Sequence, residues 1–579
     1  MSARDGVGSF CRHGEGGGGR ASSDEKRQAS KFVLGSDEES PSDNSVQESQ
    51  HGLSGDTAQD IRDMFRLGKR QEFKRNFSLI STLGFISICA QMNGPLSVQN
   101  NRGANISPRC LRYMATWEFV LGSLALGLVN GGFAGLFWTF IGTILCYSTV
   151  VASLAEMESM APTSGGQYHW VSEFAPSRYQ KFLSYSAGWM STLGWLASCA
   201  SGVFVCSTLI EVLIDISDTD FVFPNWQSTL ISIALLVVTI FFNTWGATTL
   251  PLIETISLVG HILGFLVTII PLWVMCPKNS AKDVFATFAD NGGWGNVGTA
   301  CLVSQVAILY CNLGSDSACH ISEEVADASL NVPRSMWWSY LLNLFMGIIT
   351  LITMLFCIGP LDEAINAETP YLQLFLNTGS NAVAYVLCIL LLVLIFSGDI
   401  TALATTSREV FAFSRDRGFP FSQWLSKIER KRNIPFNAVY ATSFWSAVLC
   451  VINIGSTTAF NIIISLTLLA LLSTYMVSIG CVCLKRIRGE TLPAARWSLG
   501  RYGLAINMFA FLYCGFAIVF CCFPSTLPVD TSTANWAPAV WAGVILLSVI
   551  SYFLHGKRHF TPPVVFVEGK RTGGLQATE

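Results

Sequence analysis

Long apolar stretches recur at nearly regular intervals from about residue 77 to residue 554. A helical stretch of about 20 residues crosses the roughly 30 Å hydrocarbon core of a bilayer. Backbone groups in lipid must satisfy their own hydrogen bonds, so each stretch is predicted to be a helix. The pattern therefore predicts an all-α polytopic membrane protein with about twelve transmembrane helices.

The predicted spans form two groups of five and a final pair. The first five lie at 77–127, which is interrupted, and at 132–156, 182–211, 226–245 and 250–276. The others lie at 297–318, 336–360, 382–406, 437–454, 457–484, 503–523 and 536–554. We therefore expect an N-terminal tail (1–76), a transmembrane domain (77–554, with five-helix units 77–276 and 297–484 and two extra helices 503–554) and a C-terminal tail (555–579).

Composition excludes several other classes of protein. Only 13% of the residues are charged and 51% are hydrophobic, whereas soluble domains carry roughly 25% charged residues. A net charge of −3 gives no reason to expect a nucleic-acid partner. Most of the 18 cysteines lie in or beside apolar stretches, without a zinc-type pair of CxxC motifs. We predict no metal and no cofactor.

The N-terminal tail is rich in Gly, Ser, Asp and Glu, with GEGGGGR at 14–20 and SDEESPSDNS at 36–45. Such a composition buries too little apolar surface to fold, so the tail is predicted to be disordered. It contains no short apolar stretch of the kind that a cleavable signal peptide needs. The first membrane helix is therefore expected to direct insertion.

Basic loop residues indicate the orientation, because Lys and Arg concentrate in short cytoplasmic loops. A cytoplasmic N-terminus places the following basic residues in cytoplasmic loops: Arg408, Arg415, Arg417, Lys427, Arg430, Lys431, Arg432, Lys485, Arg486, Arg488, Arg496 and Arg501. The opposite loops are acidic or neutral, apart from Lys278 and Lys282. Both termini are therefore expected to be cytoplasmic.

Two polar clusters interrupt the first and sixth spans, MATWEFVLG and CNLGSDSACH. Their polar or conformationally special members are Thr116, Trp117 and Glu118, and Gly314, Ser315, Asp316 and Ser317. An ionisable group at mid-membrane is costly and usually faces a cavity. Clusters five helices apart are typical of an inverted repeat of two five-helix units, in which broken helices bind substrate and access alternates.

Broken helices supply a direct chemistry for binding a small zwitterion or cation. Freed helix N-termini attract a carboxylate, and a buried acid such as Glu118 or Asp316 can pair with an ammonium group. Trp117 and Tyr310 can offer aromatic faces to a cation. The alternatives are that Glu118 reaches the membrane interface, that Asp316 caps a helix, and that the aromatic rings only pack.

Three stretches carry a family resemblance: SLAEMESMAPTSGGQYHWVSEFAP at 153–176, GSDSACHISEEVADASLNVPRS at 314–335 and SREVFAFSRDRGFPFSQWL at 407–425. They resemble the fungal amino-acid/choline transporter family of the amino acid-polyamine-organocation superfamily, from about residue 70 to FTPPVVFVEG near the C-terminus. The resemblance implies the leucine-transporter-type fold, with five plus five inverted helices and two more. It also implies substrates such as GABA, choline or amino acids, and coupling to protons.

The resemblance also assigns roles to residues. It implies that Thr116 to Glu118 and Gly314 to Ser317 line the central site. Glu323 and Glu324 lie just after the sixth span, where they could pair with Arg408 or Arg415 in an inner gate. The alternative is that these four residues are solvated loop charges.

One segment departs from the family pattern. Relatives run almost directly from a segment like FSLISTLGF into one like MATWE, whereas this chain inserts AQMNGPLSVQNNRGANISPRCLRY at about 90–113. Arg102, Arg109 and Arg112 in this insertion cannot face lipid. We hypothesise a retained intron or a gene-model error, which sequencing of the spliced transcript would test. Otherwise the first helix must be rebuilt, with 114–129 as the span and 77–90 at the interface, or with an extracellular excursion.

Together these features predict a secondary active transporter that imports a small amine or amino acid. An enzyme is not expected, because the sequence shows no nucleophile triad, phosphate-binding glycine loop or metal-ligand cluster. A non-transporting membrane nutrient sensor and an inactive product of a mis-spliced gene stay open as alternatives. The expected partners are the substrate, protons and the lipid bilayer. The expected location is the plasma membrane, with vacuolar or other endomembranes as the alternative.

Overall fold

A computed structural model describes the chain at residues 57–69, 114–123, 125–218, 223–367, 369–429, 431–432, 434–455, 459–530 and 534–563. These residues belong to one compact unit, Leu53–Glu579. The polar insertion at about 90–113, the start of the first predicted span and most of both predicted tails lie outside the described ranges. Within those ranges the regular structure is helical, apart from an isolated β-bridge between Glu429 and Ile434.

The α-helices are numbered in chain order. The first ten are α1 (Ala58–Arg66), α2 (Thr116–Ser123), α3 (Ala125–Val129), α4 (Gly132–Met160), α5 (Gly166–Phe174), α6 (Gln180–Asp215), α7 (Asn225–Asn243), α8 (Leu250–Met275), α9 (Ala281–Ala286) and α10 (Val297–Cys311). The others are α11 (Ala328–Cys357), α12 (Leu361–Asn366), α13 (Pro370–Leu376), α14 (Asn381–Arg415), α15 (Ser422–Leu425), α16 (Phe436–Cys450), α17 (Ile452–Gly455), α18 (Ala459–Ile487), α19 (Gly503–Cys521), α20 (Ala537–Ser551) and α21 (Lys557–His559). Three 3₁₀ segments, Ala247–Thr249, Ser315–Glu324 and Gly500–Tyr502, and a π-helical turn, Tyr552–Gly556, complete the elements.

Eleven of the helical segments that the structure describes are long and apolar enough to cross a membrane. They correspond to the second to twelfth predicted spans, and the short helices α2 and α3 represent the end of the first. Helix α18 is the most enclosed, with 83% of its apolar window buried, whereas only 11% is buried in the span that begins at Ala537. Large apolar side chains such as Val274 and Leu252 are exposed on α8. The fold is therefore that of a polytopic membrane protein whose outer helices present apolar surface to lipid.

The sixth span is broken inside the second polar cluster. Helix α10 ends at Cys311, and the 3₁₀ segment begins at Ser315. Gly314 between them has a φ of +105°, a conformation that residues with a Cβ rarely adopt. The break is therefore a consequence of glycine at this position.

Part of the predicted disordered tail is helical. Helix α1 begins with a capping box, in which Thr57 Oγ1 accepts the Asp60 N–H at 3.2 Å and the Asp60 carboxylate accepts the Thr57 N–H at 3.1 Å. The same carboxylate accepts the N–H groups of Asp327 and Ala328, at 2.8 and 3.1 Å. Asp60 therefore caps α1 and also the start of α11, which holds α1 against one end of the bundle. We call this the Lys69 end.

We predict that Asp60→Ala destabilises the protein, because two helix starts lose their cap. Loss of a capping side chain typically costs about 0.5–2 kcal/mol. The melting temperature of the detergent-purified protein measures this change. Arg62→Ala, on the exposed side of the same helix, is the control, and equal melting temperatures for the two variants would contradict the assignment.

Candidate functional site

A cavity of about 100 Å³ lies at the break of the sixth span. Its lining comes from the segment around α2, from α6, from the break after α10 and from α14. The lining residues are Ala115, Phe119, Trp195, Ser198, Gly202, Tyr310, Cys311, Leu313, Gly314, Ser317, Ile395, Gly398, Asp399, Thr401, Ala402 and Thr405. Ser198 and Asp399 lie near the midpoints of the 36-residue α6 and the 35-residue α14, so the cavity lies near the middle of the membrane-spanning helices.

Asp399 is the acidic residue of this lining, and sequence reasoning missed it. Its side chain is buried, and neither carboxylate oxygen has a hydrogen-bond partner among the described residues. Gly202 on α6 makes room for it, since a Cβ there would lie 2.4 Å from Asp399 Oδ1. The predictive signal was present, because Asp399 is an ionisable residue inside the apolar stretch LLLVLIFSGDITAL.

Three of the eight predicted substrate-binding residues line the cavity: Tyr310, Gly314 and Ser317. The Tyr310 hydroxyl donates to Ser201 Oγ at 2.7 Å, and Ser317 Oγ donates to the Gly314 carbonyl at 2.6 Å. The other five, Thr116, Trp117, Glu118, Ser315 and Asp316, are buried outside the cavity lining. The predicted clusters therefore lie around the cavity, but most of their side chains contact protein.

Glu118 forms a buried pair with His261 of α8, which sequence reasoning also missed. Glu118 Oε1 lies 2.7 Å from His261 Nδ1, and Trp117 Nε1 lies 3.1 Å from the same nitrogen. Nδ1 cannot both accept the Trp117 proton and donate a proton to Glu118. The tautomer of His261 therefore decides whether the shared proton lies on the carboxyl or on the imidazole.

Asp316 faces α5 across the bundle. Its Oδ2 accepts a hydrogen bond from Gln167 Nε2 at 2.6 Å, and Ser191 Oγ donates to Gln167 Oε1 at 3.4 Å. These bonds connect the 3₁₀ segment after the break with α5 and α6. Asp316 therefore positions the broken span relative to its neighbours.

The four predicted gating residues form two ion pairs toward the Lys69 end. Arg415 binds Glu323 through two bonds of 3.1 and 2.9 Å, and Arg408 Nε lies 3.0 Å from Glu324 Oε1. All four side chains are largely buried. The structure therefore gives these residues partners, in place of the solvated alternative, and it connects the 3₁₀ segment with α14.

A third ion pair adds residues that the sequence did not indicate. Lys69 binds one oxygen of Asp416, and Tyr168 donates to the other at 3.0 Å. Burial lowers the pKa of Lys69, and the neighbouring Asp416 carboxylate opposes that effect. Lys69 and Asp416 are 347 positions apart, so only the fold brings them together. The three ion pairs form what we call the ionic layer.

The Arg415–Glu323 pair yields a prediction for a double-mutant cycle. Arg415→Gln or Glu323→Gln alone leaves a buried charge without its charged partner, which typically costs about 3–5 kcal/mol. The double variant is expected to lose less stability than the sum of the losses in the two single variants. Melting temperatures of the purified variants test this. Strictly additive losses would show that the two residues do not interact.

Comparison with known proteins identifies the family of the chain. The amino acid permease family matches residues 113–547. A protein of Macrophomina phaseolina named as a candidate amino acid/polyamine transporter is 29% identical over 74% of this chain and 95% of its own length. The choline transporter of Saccharomyces cerevisiae is 27% identical over 77% of this chain and 79% of its own, and amino-acid permease 2 of Neurospora crassa is 26% identical over 86% and 88%.

The relatives resemble this chain over most of their own lengths, and the family match begins just before Met114 and extends into α20. It therefore includes the cavity, the Glu118–His261 pair and two of the three pairs of the ionic layer in full. A match of this extent decides the classification, and the chain belongs to the amino acid permease family, whose members are transporters and not enzymes.

Proposed function

We propose that the chain is a secondary active transporter that imports a small amine or amino acid by alternating access. The proposal rests on the cavity at the broken sixth span, which lies half-way along α6 and α14. Substrate sites of secondary transporters typically occur at such mid-membrane breaks. The names of two relatives, a choline transporter and an amino-acid permease, support the substrate class, since choline and amino acids both carry a positively charged nitrogen.

The lining suits a molecule with few heavy atoms. Pockets for drug-sized ligands usually enclose about 300–1,000 Å³, whereas this cavity encloses about 100 Å³. Phe119, Trp195 and Tyr310 supply aromatic surface, and the 3₁₀ segment that begins at Ser315 presents its N-terminus beside Gly314. A zwitterion can direct its carboxylate to that N-terminus, because freed N–H groups and the helix dipole favour an anion there.

The ionic layer acts as the inner gate in this proposal. The basic loops make the Lys69 end cytoplasmic, with both termini on that side, as the predominance of Lys and Arg favours. The Lys69–Asp416, Arg415–Glu323 and Arg408–Glu324 pairs then hold the cytoplasmic side of the cavity together. We also propose the plasma membrane as the location and a five-plus-five inverted repeat with two additional helices as the architecture.

Uptake by transporter-deficient cells tests the function. Labelled choline, GABA and a panel of amino acids are offered to cells that express the full chain or a version without residues 91–113. We expect saturable uptake of at least one compound. Uptake by the shortened form alone would support a retained intron, and no uptake by either form at the cell surface would contradict the transporter.

Protons are the proposed coupling ion, and the Glu118–His261 pair is the proposed carrier. Uptake is expected to rise with external acidity and to collapse with a protonophore. Glu118→Gln is expected to abolish the acid stimulation, because the amide cannot exchange the shared proton. Asp362→Asn, at an exposed position in the first turn of α12, is the control. Sodium-dependent uptake, or unchanged acid stimulation in Glu118→Gln, would contradict proton coupling through this pair.

A further inference from the structure

We propose that Asp399 is the counter-ion for the positively charged nitrogen of the substrate. This inference rests on the proposed transport function and assigns a residue to the recognition of one chemical group. It also differs from the sequence-based expectation, in which Glu118 and Asp316 were the acids of the site.

The Asp399 carboxylate has no partner among the described residues. It is 4% exposed, and no hydrogen bond or ion pair to it occurs in the part of the chain that the structure describes. A charged group without a partner is costly in a protein interior and more so near the middle of a membrane. A cation that enters the cavity would remove that cost, and the binding site would thereby gain affinity for a charged nitrogen.

Asp399 shares the cavity lining with aromatic side chains. Asp399 lines the cavity together with Phe119, Trp195 and Tyr310. Aromatic faces attract cations, and quaternary ammonium ligands in particular. The Phe119 and Tyr310 rings are packed edge to face, with centroids 5.3 Å apart, and the Tyr310 hydroxyl already donates to Ser201. The Tyr310 hydroxyl therefore uses its proton within the protein, and the ring is the part of the side chain that can attract a cation.

The two acids that the sequence suggested for the site have hydrogen-bond partners outside the cavity lining. Glu118 pairs with His261, and Asp316 accepts from Gln167. Neither residue lines the cavity. Gly202, in contrast, keeps space for Asp399, since a larger residue would collide with its carboxylate. Glu158 and Glu409 also have carboxylates without a hydrogen-bond partner among the described residues, but of these three acids only Asp399 lines the cavity.

Transport measurements test the assignment with Asp399→Asn, Asp399→Glu and the control Glu409→Gln. Glu409 is a buried acid of the same helix that does not line the cavity. For choline or GABA, whichever the wild type transports, we expect KM to rise about tenfold or more in Asp399→Asn, as for loss of a charged hydrogen-bond partner. Asp399→Glu should retain part of the affinity, and Glu409→Gln should keep the wild-type KM.

Competition experiments distinguish charge recognition from a change of shape. In the wild type, choline should compete with the transported substrate far better than its neutral carbon isostere does. Asp399→Asn should lose most of this difference. A wild-type KM and an unchanged preference for the charged competitor in Asp399→Asn at normal surface expression would overturn the proposal. A normal KM in Asp399→Asn together with uptake that no longer responds to a protonophore would also overturn the proposal, because Asp399 would then be a proton site.

Binding measurements separate this inference from the proposed function. The melting temperature of purified protein is measured with and without millimolar choline, GABA or the amino acids of the panel. The ligand-free Asp399→Asn variant should melt at or above the wild-type temperature, because it removes an unpaired charge, and the ligands should stabilise it less. Stabilisation of the wild type but not of Asp399→Asn, without any uptake, would contradict the transporter but support Asp399. Equal stabilisation of both proteins, or of neither by any ligand, would overturn the assignment.

Discussion

The absence of water from the bilayer core is the constraint on which the rest of this structure depends. Backbone groups there must bond within helices, and polar side chains must find partners inside the bundle. The Glu118–His261, Asp316–Gln167 and Arg415–Glu323 contacts satisfy this requirement. Asp399, Glu158 and Glu409, whose carboxylates have no hydrogen-bond partner among the described residues, depart from it, and of these three only Asp399 lines the cavity. A departure of this kind at mid-membrane is the expected property of a site that waits for a charged ligand.

The cavity and the ionic layer share the same two elements. Helix α14 contributes Asp399 to the cavity and, farther along, Arg408 and Arg415 to the ionic layer. The 3₁₀ segment begins beside the cavity and ends with Glu323 and Glu324. A shift of α14 relative to this segment would therefore change both the proposed substrate site and the proposed inner gate. In the proposed alternating-access mechanism, one movement would then serve both substrate binding and opening.

Some features of the fold and of the candidate site could be predicted from the sequence, and others were missed. The polar cluster and the family resemblance indicated the break at Gly314 and the four residues that we propose as an inner gate, and the structure places a break and two ion pairs there. Asp399 and His261 carried the same signal as Glu118, an ionisable group within an apolar stretch, and were overlooked. Helix α1 was assigned to a disordered tail because composition dominated the interpretation, although Thr57 and Asp60 form a capping box. Local capping outweighed the average composition.

The sequence by itself determined the class of fold, the approximate spans and the family. The length of an apolar stretch and the charge of a loop are local properties of the sequence. In a bilayer, a long apolar stretch forms a helix because its backbone groups must bond internally, and loop charge favours an orientation. Only the tertiary structure decided which buried acids are paired and which one lines the cavity. Glu118 meets His261 across 143 positions, and Lys69 meets Asp416 across 347. Such partners depend on the packing of helices that are far apart in the chain, and spacing along the sequence carries no record of that packing.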